Sequence, residues 1–149
     1  MSTSTAIVEE GRIGVRLKIS FLWISVLFLY AYGDIFGFFV PGRIEEVVGG
    51  KVSGIAISDG FLLAVSVYVA IASVMIFLTL VLRAEVSRWA NLVLAIVYVA
   101  SVVASAIGED PYYLFLSAAE VLLLLAIVRY AWTWPRRPLD EAAGGAAGT

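Results

Sequence analysis

Residues Gly60 to Leu82 run for about 23 positions without a charged side chain. As a helix rising 1.5 Å per residue, that run reaches roughly 35 Å, enough to cross the ~30 Å hydrocarbon layer of a bilayer with some tilt. The rest of the chain agrees. Of 149 residues, 62% are hydrophobic and only 15% charged, with a mean hydropathy of +0.98. A soluble fold of this length has too little interior to hide so much apolar side chain, whereas a bilayer accepts it on the outside of every helix. The expected fold class is therefore all-α: a polytopic membrane protein with a four-transmembrane-helix bundle and the lipid bilayer as its first partner.

Four spans follow from the same criterion, at about 17–40, 60–82, 89–107 and 112–134, forming one membrane domain over 17–134. Pro41-Gly42 closes the first, and Ser58-Asp59 make a good N-cap for the second. "RAEVSR" at 83–88 reads as a short polar turn, and "GEDP" at 108–111 forces another. The 41–59 stretch mixes Gly, charge and short aliphatic runs and reads as a connecting loop. Residues 1–16 form a short N-terminal segment; 135–149 are rich in Gly, Ala and Pro and read as a mobile tail. The first apolar run is too long for the core of a cleaved signal peptide and has no small-residue cleavage site, so it reads as a retained helix.

With four spans, both termini and the 83–88 turn share one side. That side carries Arg12, Arg16, Lys18, Arg83, Arg88, Arg129, Arg136 and Arg137, against Arg43 and Lys51 on the other. The positive-inside rule puts both termini in the cytoplasm and the chain in the inner or plasma membrane. Trp89, Trp132 and Trp134 fall at the cytoplasmic boundary and Tyr112 and Tyr113 at the outer one, as an aromatic belt requires. Arg129 snorkels to the headgroups from one turn inside the fourth span.

Several function classes drop out. The chain has no cysteine and no histidine, which removes disulfides, thiol catalysis, thiolate zinc sites, iron–sulfur clusters and haem held by the usual ligands. No cofactor or metal site is expected. The basic residues form no stripe, so nucleic acid is not a partner. A nucleophile, a metal set and a nucleotide loop are all missing; no catalytic residue is assigned, and an enzyme is the last of the readings.

Two acids sit well inside the spans, Asp34 and Glu120. A carboxylate facing lipid is costly, so both are expected to face the interior, and counting from the span ends puts them at similar depth. Helical spacing supplies their company. Tyr30 lies one turn before Asp34; Tyr113 and Ser117 precede Glu120 by seven and three; Asn91, Tyr98, Ser101 and Ser105 share one face of the third span. The second span adds Ser66 and Ser73, with Tyr68 off that stripe. Gly33 and Gly37, like Ala100/Ala104 and Ser101/Ser105, have the small-xxx-small spacing that lets helices approach closely.

No Lys, Arg or His is available at that depth. The acids are protonated, hydrogen-bonded by tyrosine and serine, or paired with something from outside. One reading makes Asp34, Glu120, Tyr30, Tyr98, Ser101, Tyr113 and Ser117 a site for a small molecule, a proton or a cation, in a binder or carrier that forms a homo-oligomer. Another has Asp34 accepting backbone N–H groups near the Gly and Pro breaks and Glu120 bonding a neighbouring helix. The protein is then a non-catalytic membrane subunit or scaffold associating through its helix faces.

The strings "LYAYGDIFGFFVPG", with Asp34 ahead of Pro41-Gly42, "RWAN" at 88–91, and "PYYLFLSAAE", from Pro111 to Glu120, together resemble a family of uncharacterised four-helix membrane proteins of prokaryotes, a domain of unknown function. The resemblance covers about residues 16–134. It implies the four-helix fold and carries no activity with it.

Overall fold

A computed structural model of the protein describes residues 13–134. Most of the N-terminal segment and the 135–149 tail, with Arg12, Arg136 and Arg137, lie outside the described residues. The chain forms α1 (Val15–Gly37), α2 (Arg43–Val48), β1 (Lys51–Val52), β2 (Ile55–Ala56), α3 (Asp59–Val81), α4 (Ala84–Ser105) and α5 (Pro111–Trp132). Among the described residues, α1, α3, α4 and α5 are long and apolar enough to cross a membrane.

Local chemistry explains the helix ends. Ser58 caps α3 by accepting from the Phe61 N–H at 3.2 Å. Pro111 occupies the first turn of α5, where its missing N–H costs nothing. α1 stops at Gly37, three residues short of the expected end, and the turn that follows uses Gly42 at φ +82° ahead of α2. Two sequence readings change. The 41–59 stretch is not plain loop: it holds α2 and a small antiparallel hairpin, turned by Ser53 and Gly54, both at positive φ as a two-residue hairpin turn demands. The polar link between α3 and α4 shrinks to Leu82 and Arg83, because Ala84–Arg88 already form the first turn of α4.

α1 packs between α3 and α5, and α4 packs on the far side of α5; the seam between α3 and α4 is the sparsest contact of the ring. The end of the bundle that carries the chain termini is filled by Ile19, Trp23, Met75, Leu92, Leu124 and Ile127. A buried polar knot sits among them. The Trp23 indole donates to Asn91 Oδ1 at 2.7 Å, Thr79 Oγ1 lies 3.1 Å from the same oxygen, and Asn91 Nδ2 donates to the Ser87 carbonyl at 2.8 Å. Arginines close two helix C-termini at this end: Arg16 donates to the Leu80 carbonyl and Arg88 to those of Ala131 and Trp132. "RWAN" thus works as a cap, an exposed Trp89 and a buried hub.

At the opposite end, Arg43 of α2 pairs with Glu109 at 3.2 Å and donates to Ser53 at 2.7 Å. This small network ties the α1–α3 connection to the α4–α5 turn.

Candidate ligand-binding site

Between that network and the packed half lies a cavity of about 250 Å³, walled by all four long helices. It exists because the inward positions at this level are small. Gly33 has no side chain, and Ser101 and Ser105 stand where the other half of the bundle carries Leu and Met. α1 supplies Tyr30, Gly33 and Asp34; α3 supplies Val65, Tyr68 and Val69; α4 supplies Ser101, Val102 and Ser105; α5 supplies Tyr113, Leu116 and Glu120.

Asp34 and Glu120 therefore meet in one cavity, from backbone positions that are not level. A Cβ on Gly33 would meet Leu116 at 3.6 Å and one on Gly37 would meet the Tyr112 hydroxyl at 3.5 Å, which sets the register of antiparallel α1 and α5. Continued inward, that register puts the Glu120 backbone level with Leu29 and Tyr30, about one helical turn or roughly 6 Å deeper than that of Asp34, while the tilt of side chains toward each helix N-terminus turns the two carboxyls toward one another. Glu120 is only 6% exposed, whereas Asp34 is exposed on the wall nearer the α2 end. Among the described residues the wall's tyrosine and serine hydroxyls are bonded elsewhere than to either carboxyl, and no Lys, Arg or His stands on the wall.

The hydroxyls, by contrast, are tied into the protein. Tyr30 Oη lies 3.0 Å from Tyr68 Oη, which lies 2.7 Å from Ser101 Oγ, and Ser101 donates to the Tyr98 carbonyl at 2.9 Å. On the other wall Tyr113 donates to Ser105 at 3.2 Å, and Ser105 donates to the Val102 carbonyl at 3.0 Å.

Of the residues singled out from sequence, Tyr30, Asp34, Ser101, Tyr113 and Glu120 line the cavity. Tyr98 does not: its ring stacks beneath Tyr68 with centroids 4.3 Å apart, and its hydroxyl donates to the Tyr68 carbonyl. Ser117 is buried away from the wall. Sequence reasoning missed Tyr68, the residue that bridges three helices, by following Ser66 and Ser73 instead. Those serines are exposed, each bonded to the carbonyl four residues earlier on its own helix. The inward face of α3 is Tyr68, Ala72, Met75 and Thr79, at offsets of four, seven and eleven. The 3.6-residue period starting from Tyr68 was the available signal.

These features define a multi-pass membrane protein with an acidic cavity among four helices. The chain belongs to a family of unknown function, DUF6326, whose model matches residues 9–141. No curated protein and no solved structure matches it.

Proposed function

We propose that the protein binds a small cation or cationic molecule in this cavity, as a binder or carrier in the inner or plasma membrane of a prokaryote, with both termini in the cytoplasm. The reading rests on one observation above all. Glu120 is buried in an apolar bundle, faces open space, and among the described residues has no side-chain donor or cation against it. A buried carboxyl in such surroundings needs a proton or a positive partner, and Asp34 on the same wall doubles the demand. Exchange of a proton for a cation is the chemistry that two such groups offer. The orientation is supported by the excess of basic residues at the end carrying the termini and the Leu82–Arg83 link.

The test is a panel of small organic cations, alkali cations and neutral solutes, screened for thermal stabilisation of the purified protein and for uptake into vesicles containing it. Asp34→Asn and Glu120→Gln are expected to abolish the response while the free variants unfold no earlier than wild type. If both behave like wild type, the cavity is not a cation site.

A second reading, a subunit or scaffold, is favoured by Ala100 and Ala104, which face away from the bundle with the spacing of a helix contact. Ala100→Leu with Ala104→Leu would then dissociate an oligomer, read by light scattering in detergent, and leave solute binding intact.

A further inference from the structure

Apart from any proton carried by its two acids, the cavity presents acceptors and no free donors. Its polar wall consists of Tyr30, Tyr68, Tyr113, Ser101, Ser105 and the two acids; every other lining side chain is Gly, Val or Leu. Each hydroxyl has a single proton to give. Ser101 and Ser105 give theirs to the Tyr98 and Val102 carbonyls. Tyr68 must then donate to Ser101, Tyr30 to Tyr68, and Tyr113 to Ser105. In the reverse direction Ser101 would give up its bond to the Tyr98 carbonyl and Tyr30 would send its proton into the cavity. The direction that keeps every one of these bonds points the hydroxyl protons into the protein and leaves lone pairs on the wall.

We infer that the ligand is a small aliphatic ammonium ion bearing N–H donors, a primary amine in its protonated form, an inference that rests on the proposed cation-binding reading. Its head would donate to Glu120 and Asp34 and to the Tyr30 or Tyr113 oxygen, and its tail would lie on Val65, Val69, Val102 and Leu116. A bare metal ion fits less well. Among the described residues no three acids gather as ligands, and about 250 Å³ with Val65, Val69, Val102 and Leu116 on its wall is far more space than an ion with oxygen ligands at roughly 2.0–2.6 Å requires. An anion would meet two carboxyls and no positive charge.

The experiment is titration calorimetry on the full chain in lipid nanodiscs with n-butylammonium, tetramethylammonium, potassium, 1-butanol and butyrate. Butylammonium and tetramethylammonium have the same charge and number of heavy atoms and differ in N–H donors. Butylammonium is expected to bind at least about tenfold tighter, because charge-assisted hydrogen bonds are the difference. Tyr30→Phe, which removes an acceptor without changing charge, should weaken butylammonium severalfold and leave tetramethylammonium unchanged. Equal or tighter tetramethylammonium binding overturns the donor argument and leaves the cation site standing, and potassium binding alone does the same. Tight butanol or butyrate binding, or no binding of any cation, overturns both.

Discussion

The Trp23 indole of α1 donates to the Asn91 side-chain oxygen of α4 across the centre of the bundle, at 2.7 Å. α1 and α4 are diagonal partners in the ring, each packing mainly on α5 or α3, so this bond joins helices that otherwise hardly meet. Asn91 has no exposed surface and serves Thr79 and Ser87 as well.

Replacing Asn91 by Ala leaves the Trp23 N–H buried without an acceptor. The expected loss is about 1–3 kcal/mol, the usual cost of orphaning a buried donor, measured by reversible unfolding in mixed micelles. Asn91→Asp keeps the acceptor but buries a carboxyl, and should fall between wild type and Asn91→Ala only where that carboxyl is protonated.

Tyr68→Phe removes the middle of the Tyr30–Tyr68–Ser101 chain. Interhelical hydrogen bonds in membrane proteins contribute roughly 0.6–2 kcal/mol, so the expected destabilisation lies in that range. Tyr98→Phe, which removes a bond to a backbone carbonyl beneath the cavity, should cost a similar amount yet leave butylammonium binding unchanged.

Gly33 faces both α5 and the cavity. A methyl group there would meet Leu116 at 3.6 Å, an ordinary contact, and alanine is the better helix former by roughly 0.5–1 kcal/mol. Gly33→Ala is therefore expected to be neutral or mildly stabilising. Gly33→Leu should fill the cavity, abolishing ligand heat in calorimetry while retaining the helical circular dichroism of wild type.

Arg43 and Glu109 are each 20% exposed in their side chains and 3.2 Å apart. A double-mutant cycle with Arg43→Ala and Glu109→Ala should give a coupling of about 0.2–1 kcal/mol, as expected for an ion pair still in reach of water. The coupling should shrink as salt is raised.

Orientation can be read without background labelling, because the chain has no cysteine. Lys51→Cys on the hairpin should react with a membrane-impermeant maleimide on intact cells, and Ala84→Cys only after permeabilisation. The opposite pattern would invert the topology.

The existence of four spans and the face of α4 that carries Asn91, Tyr98, Ser101 and Ser105 were legible in the residues, because charge-free length and helical offsets are local properties. The hairpin of 51–56 was not: its strands are two residues each and pair through a turn that only the surrounding ion-pair network explains.

What the sequence determined alone is that this chain resides in a bilayer as a helical bundle with two acids and no cation to match them. Tertiary structure decided which helix faces turn inward, that Tyr68 and not Ser66 or Ser73 reaches the cavity, and that Asp34 and Glu120 share one wall. The reason is physical. In lipid the outside of a helix is as apolar as the inside, so no amphipathic stripe marks the buried face. A serine bonded to its own helix can face lipid at little cost, while the Tyr68 hydroxyl finds its partners on α1 and α4.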